Sequence, residues 1–363
     1  MAIKHADEYR DPAAARALID EIRKTSRTPI RIMEVCGTHT VALFRSGVRD
    51  MLPATISLLS GPGCPVCVTA QGEIDAFIDL ARIPEVTIAT FGDLIRVPGS
   101  DSSLQQERAS GRDIRMVYST MDALTLAREN PERQVVFLGV GFETTAPTIA
   151  AAVLAAQAEG LRNFSVYGAH KLVPPALDAL VKTEGIAVDG FLLPGHVSVI
   201  IGVDAYRPLA EASRIPMVVG GFEPTDLLQA ILMLVHQIEN SAPALENAYP
   251  RAVSNEGNPR ARQVMDSVFT VADTVWRGIG VIAGSGLAFR EAFTSFDAAR
   301  KFSVALRDVP EPPGCACGEI LTGLKIPPQC ALYKKRCTPT RPVGPCMVSS
   351  EGTCAAYYRY HQS

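Results

Sequence analysis

The chain predicts an α/β protein: two similar parallel-sheet α/β units around a cleft, followed by a mostly helical, Cys-rich C-terminal iron-sulfur domain. Three observations carry this. Between residues 28 and 225, short apolar runs alternate with helical ones, and alternation of that kind builds parallel sheets covered by helices. The unusual residues fall just after the apolar runs. From Val309 the composition turns to Pro, Gly and Cys, with six cysteines between Cys315 and Cys354.

Taken in order, residues 1–28 predict a single N-terminal helix, because Leu18, Ile19 and Ile22 form one apolar stripe among charges and alanines. Residues 29–130 form the first unit. Its expected strands are Ile30–Val35, Ile56–Ser60, Val86–Phe91 and Ile114–Tyr118, with helices after Val35, after Cys67 and over Asp122–Glu129. The pattern repeats over 131–225 with strands at Gln134–Val140, Phe164–Tyr167, Gly190–Leu193 and Met217–Val219. Residues 226–363 form the last part. Its first stretch, to 308, reads as helical: Leu227, Ile231, Leu234, Val235 and Ile238 keep helical spacing, as do Val264, Val268, Val271 and Val275. The tail beyond has too little apolar material to hold itself by burial, so thiol chemistry or a metal is expected to hold it.

With 363 residues there is room for a large core, and 47% hydrophobic against 20% charged residues is a globular balance. A net charge of −3 leaves no footprint for nucleic acid or an anionic membrane. The charged N-terminal stretch lacks the apolar core of a signal peptide, and the longest apolar run, Ala146 to Ala158, is too short to span a bilayer. A cytoplasmic protein is the expectation. Nine cysteines there point to metal or redox chemistry rather than a disulfide framework.

Cys36 and His39 sit in a predicted strand-to-helix turn, where helix N-H groups and the helix dipole favour an anion. The Cys36 thiol is therefore expected to ionise easily, to bind a soft metal or attack a carbon; the plainer reading is a buried structural cysteine. Cys64-Pro65-Val66-Cys67 is a C-x-x-C between strand and helix, the setting of a redox dithiol or half a metal site. Asp93, Glu143, Thr144, Thr145, His170 and His196 also follow strands. Open α/β sheets bind ligands beyond the carboxyl ends of their strands, so all of these are expected at one cleft. Thr144 and Thr145 have a second reading as helix caps. Gly139-Val140-Gly141 begins a dinucleotide fingerprint but Thr144 replaces its third glycine, and no phosphate-binding loop occurs. In the tail, no C-x2–4-C pair of the kind structural zinc prefers is present, which ranks an iron-sulfur cluster above zinc. Lys334, Lys335, Arg336 and Arg341 beside it read either as charge compensation for a cluster or as a solvated face.

Together Cys36-Gly37-Thr38-His39, Gly61-Pro62-Gly63-Cys64-Pro65-Val66-Cys67, Gly141-Phe142-Glu143-Thr144-Thr145-Ala146-Pro147, Pro194-Gly195-His196-Val197 and the six-cysteine tail resemble the HypD family of hydrogenase maturation factors, with no departure in a cysteine motif. The resemblance implies a scaffold that builds the iron, two-cyanide, one-carbonyl unit of nickel-iron hydrogenases, held between the chain and a small HypC-type chaperone. It implies a HypE-type cyanide donor as a second partner. It assigns Cys36 to the iron with His39 close by, Cys315, Cys330, Cys337 and Cys354 to a 4Fe-4S cluster, Cys317 with Cys346 to a redox pair, and Cys64 with Cys67 to a second dithiol. Two other function classes remain open on the residues alone. One is a free-standing cluster-dependent thiol-disulfide reductase; the other is a hydrolase or transferase with Cys36 as nucleophile and His39 as base.

Overall fold

The computed structural model describes residues 7–183 and 185–361. Two parallel sheets lie at its centre. The first runs β2-β1-β7-β8-β9, with β1 Ile30–Glu34, β2 Ile56–Ser60, β7 Gly190–Pro194, β8 Met217–Gly220 and β9 Leu245–Asn247. The second runs β4-β3-β5-β6, with β3 Val86–Thr90, β4 Ile114–Met116, β5 Gln134–Gly141 and β6 Phe164–His170. Ile30, Ile32, Met33, Ile88, Val136, Phe137 and Leu138 are fully buried. Helices cover both faces of such sheets, which is why these strands are nearly continuous apolar runs rather than alternating ones.

The two sheets share one plan, though not in tandem. Each joins its first four strands in the order second, first, third, fourth. However, residues 29–130 supply β1 and β2 to one sheet and β3 and β4 to the other, and residues 131–225 likewise divide. The second sheet is thus inserted whole between β2 and β7 of the first, and a boundary at 130 runs through both. Strand partnership is a long-range property that local periodicity does not carry.

In each sheet the chain changes direction beside the first strand, between β1 and β7 and between β3 and β5. Those two switch points are where a parallel sheet opens a crevice at its strand ends. Cys36 follows β1, His196 follows β7, Asp93 follows β3 and Thr144 follows β5.

Helix Pro12–Thr25, capped by the Asp11 carboxylate on the Ala13 N-H (2.8 Å), buries Ile19 and Ile22 in the same core as Leu227, Ile231 and Leu234 of helix Pro224–Glu239. The helical expectation over Val271 and Val275 fails. Helix Pro259–Val268 stops, and β10 Phe269–Trp276 and β11 Gly280–Phe289 form an antiparallel hairpin instead. Valines three and four apart suit a helix stripe. However, β10 is dominated by β-branched and aromatic residues, and the positive φ of Gly278 and Gly280 turns the chain back.

This hairpin ties the parts together. Leu172 N-H bonds to the Ser285 carbonyl (2.7 Å) and Arg277 N-H to that of Val68 (2.9 Å). A Cβ on Gly278 would overlap the backbone of Gly318 in the cysteine tail. Inside the junction, the Lys171 ammonium donates to Glu73 (2.7 Å) and to the Thr274 hydroxyl (3.0 Å), and the second oxygen of Glu73 accepts the Ala70 N-H (2.8 Å). The tail is not self-supporting. Ile320, Met347 and Tyr357 share a small core with Phe44 of helix Gly37–Arg45, where Phe44 and Tyr357 meet edge to face at 4.9 Å.

Lys171 and Glu73 are both almost completely buried, so loss of one charge strands the other. Lys171→Ala is expected to lower the unfolding free energy by about 3–5 kcal/mol in urea denaturation. The exposed pair Lys182–Asp178 (2.6 Å) serves as control, where Lys182→Ala is expected to cost under about 0.5 kcal/mol.

Candidate functional site

The two switch points open into one cleft of about 430 Å³. Cys36, Gly63 and His196 reach it from the first sheet, Phe142, Thr144 and Thr145 from the second, and Glu351 from the tail. Close approach of backbone builds it. Gly37 N-H bonds to the Gly63 carbonyl (2.9 Å), and a Cβ at position 63 would overlap the backbone nitrogen of Cys36. On the other side, a Cβ on Gly37 would stand 2.6 Å from the Cβ of Glu351. Cys36 is therefore clamped between the Gly61–Cys67 loop and the tail.

Cys36 stands at the N-cap of helix Gly37–Arg45, as its position in the turn predicts, but its side chain makes no capping bond, so the Thr38 and His39 amides favour its thiolate only weakly. The expected easy ionisation does not follow. Burial, then the Glu351 carboxylate, push the thiol up to about 11, outweighing those amides. Glu351 had no signal in the sequence beyond lying between Cys346 and Cys354. It accepts the Thr38 hydroxyl (2.5 Å). Its neighbours Ser349 and Ser350 bond to Asp93 (3.3 and 3.0 Å), so this tail segment bridges both sheets.

The histidines separate. His196 is exposed at the cleft, stacked on Phe222 at 3.9 Å, and burial of part of its ring lowers its pKa. His39 is buried behind it. Its Nε2-H donates to the Gly220 carbonyl (3.3 Å), its ring tilts over Phe222 at 4.8 Å, and burial pushes it down to about 4. No hydrogen bond joins its ring to Cys36 among the described residues, and Nδ1 has no partner. That arrangement lacks the nucleophile-base contact a hydrolase needs.

Glu143 lies behind the cleft wall and not in it. One oxygen accepts the Val173 N-H (2.9 Å), the other is buried without a partner, and burial raises its pKa to about 7. His170 is also outside, packed 5.4 Å from Phe269 of the hairpin, with neither ring nitrogen hydrogen-bonded. Thr145 stands at the N-cap without a capping bond; its hydroxyl donates to the Phe142 carbonyl (3.3 Å).

Behind the cleft the thiols form a line. Cys64 donates to the Ser349 hydroxyl (3.3 Å) and its sulfur lies 2.7 Å from that of Cys67. The Cys317 and Cys346 sulfurs are 3.3 Å apart, with either able to donate, and hydrogen bonding with Cys317 and Cys67 holds the Cys346 thiol below its ordinary pKa. Cys317 in turn touches Cys315. Nearly all of these thiols are shielded from solvent, and none is in a disulfide.

All six tail cysteines border one void, whose other walls include Ala316, Ile320, Leu332 and Met347. The donor set suits a thiolate-ligated cluster. Cys337 accepts the Val343 N-H (3.3 Å), and Gly344 leaves room beside Cys315, where a Cβ would be 3.1 Å from the sulfur. Among the described residues no three metal-binding side chains gather at a single-ion position. The thiols instead ring a space.

Comparison with known proteins agrees with this architecture. The sequence model of the HypD family, described as Hydrogenase formation hypA family, matches residues 13–361. The hydrogenase maturation factor HypD of Rhodobacter capsulatus is 47% identical, covering 99% of this chain and 98% of that protein. Those of Azotobacter vinelandii and Escherichia coli are each 46% identical over 99% of this chain, covering 97% and 99% of the relative. Among the described residues, no helix is long and apolar enough to cross a membrane.

The raised carboxyl of Glu143 has a stability signature. Its folded-state pKa, about 7, lies above the ordinary 4.5, so the folded chain binds the extra proton between those values. Stability is then expected to fall as pH rises from about 4.5 to 7, by about 3 kcal/mol at 1.4 kcal/mol per pH unit. Glu143→Gln, which keeps the Val173 contact, is expected to remove that share of the slope in denaturation measured across this window.

Proposed function

The chain belongs to the HypD family of hydrogenase maturation factors, and from that premise we propose that its cleft is the scaffold on which the Fe(CN)2CO unit of a nickel-iron hydrogenase is assembled. The observation that carries this reading is the line of thiols from Cys64 beside the cleft, through Cys67, Cys346 and Cys317, to the six-cysteine void. A site that builds a cyanide-ligated iron needs a soft donor for the metal and electrons for the ligand, and this chain brings both to one place.

The iron is cargo, bound by Cys36. Its thiol is protonated in the free cleft and gives up its proton on binding the metal. The Glu351 carboxylate beside it is the acceptor, and Thr38 orients that carboxylate. His196 stands at the mouth with its ring held by Phe222, and His39 fixes the helix end against β8. Such a mouth admits a HypC-type chaperone that holds the iron from the other side, and a HypE-type donor carrying a thiocyanate.

Release of cyanide from that donor is a two-electron step. The thiocyanate R-S-CN reacts with the Cys64 and Cys67 thiols to give R-SH, cyanide on the iron, one proton and the Cys64–Cys67 disulfide. Cys317 and Cys346 restore the dithiol by exchange through Cys346, the member with the lowered pKa. A 4Fe-4S cluster on Cys315, Cys330, Cys337 and Cys354 supplies one-electron chemistry when bound. The rival reading, a reductase of other proteins, would use the same thiol pairs but gives Cys36 no part, so it requires thiol-disulfide turnover that is indifferent to Cys36.

Infrared spectroscopy tests the scaffold directly. Protein purified without oxygen from cells co-expressing the small chaperone is expected to show cyanide and carbonyl stretches. Cys36→Ala is expected to lose them while keeping the visible absorption of the cluster. Bands that survive in Cys36→Ala overturn the iron-ligand role; their absence from the parent, with chaperone and cluster both present, overturns the scaffold.

A further inference from the structure

Between Glu319 and Glu351 the sequence holds no acidic residue, yet it carries Lys325, Lys334, Lys335, Arg336 and Arg341. Lys325 is paired with Glu319 (2.6 Å). The other four are exposed and make no ion pair among the described residues. Lys334 only hangs over the Tyr333 ring at 5.7 Å. In the net-negative chain this is a concentrated positive patch. It is also stiff: the N-H groups of Lys335, Arg336 and Cys337 all bond to the Leu332 carbonyl (3.2, 3.0 and 2.9 Å). Thr338 and Arg341 exchange both backbone bonds (3.2 and 3.0 Å), and Pro312, Pro313 and Pro342 line the groove beside them.

The cations are therefore not compensating charge inside the void; they face outward. Only one residue separates the two spaces, since Leu332 borders both the groove and the six-thiol void, and Arg336 directly precedes Cys337. The cleft lies on the far side of the thiol line. If two electrons leave at Cys64 and Cys67 in each cycle, the same number must enter elsewhere, and this groove is an exposed charged surface that shares a wall with the void.

We propose that the Lys334–Arg341 groove is the docking surface for a small acidic one-electron carrier protein, which replenishes the thiol line from the end opposite the cleft. This rests on the redox reading above. Two oxidations of the reduced carrier by one electron each, with two protons from solvent, convert a Cys317–Cys346 disulfide to two thiols. Fixed cations on a rigid rim accelerate and orient encounter with an acidic partner, and do so less as salt rises. A docked carrier stops one residue short of the thiols.

The experiment uses the full chain purified without oxygen and two probes, an acidic plant-type ferredoxin and a flavodoxin. Calorimetric titration at low salt is expected to show binding that weakens with salt, and that Lys335→Glu with Arg336→Glu, or Arg341→Glu alone, weakens by at least about tenfold. Affinity within about twofold of the parent, or equal affinity for polyglutamate or phosphatidylglycerol vesicles, overturns the proposal. In a second arm the visible absorption is followed during reduction. Reduced ferredoxin is expected to act more slowly on the variants, while photoreduced deazaflavin, which needs no docking surface, acts on all alike. A chain that deazaflavin cannot reduce refutes the redox reading; equal rates of reduction by ferredoxin in the parent and in these variants refute the docking surface alone.

Discussion

The site depends on how closely three stretches of backbone approach at Cys36. The loop from Gly61 to Cys67 lies directly on the chain at Cys36 because position 63 has no side chain, and Glu351 lies against Gly37 for the same reason. That contact places a thiol from the first sheet, a dithiol from its neighbouring strand and a carboxylate from the tail within one small volume. A methyl group at 63 would push the loop outward, and Cys64 with it. Cys64 would then lose Ser349, and Cys67 would lose its place beside Cys346. The spacing of the glycines in Gly61-Pro62-Gly63 is thus a packing requirement before it is a motif.

The second constraint is dielectric. Nearly all the groups that carry charge in the proposed chemistry are buried. Burial raises Cys36 and Glu143 and lowers His39 and His170. The resting site consequently holds few charges, the Glu351 carboxylate among them. Cys346 departs from that pattern, because hydrogen bonding with Cys317 and Cys67 lowers it, and none of the three is in water. It lies between the dithiol at the cleft and the tail void, where a thiol that ionises readily serves exchange in both directions.

Much of this was legible in the residues. Apolar runs marked most of the strands, and the residues following β1, β5 and β7 do meet in a cleft. The tail cysteines do line one void. What stayed hidden was of three physical kinds. Strand pairing was hidden because β2 and β3 are neighbours in sequence yet belong to different sheets. Val271 and Val275 were hidden because a spacing of four suits a helix stripe and a strand face equally. The ionisation of Cys36 was misjudged because the helix end is a local effect, whereas desolvation comes from tertiary packing and Glu351 lies more than three hundred residues away. His170 and Glu143 were placed at the cleft by analogy of position, and their side chains turn inward to the hairpin and to Val173 instead.

Nesting one sheet inside the other also sets an order in time. During synthesis β3 to β6 are complete by residue 170, whereas β1 and β2 must wait for β7 to β9 at residues 190–247. The inner unit is therefore free to fold on the ribosome while the strand that ends at Cys36 still lacks a neighbour on one side. The last wall of the pocket, Glu351, emerges later still. A nascent chain accordingly offers stray metal ions in the cell scattered thiols but no assembled pocket, and the pocket comes into being only on a protein that has passed every earlier step of folding.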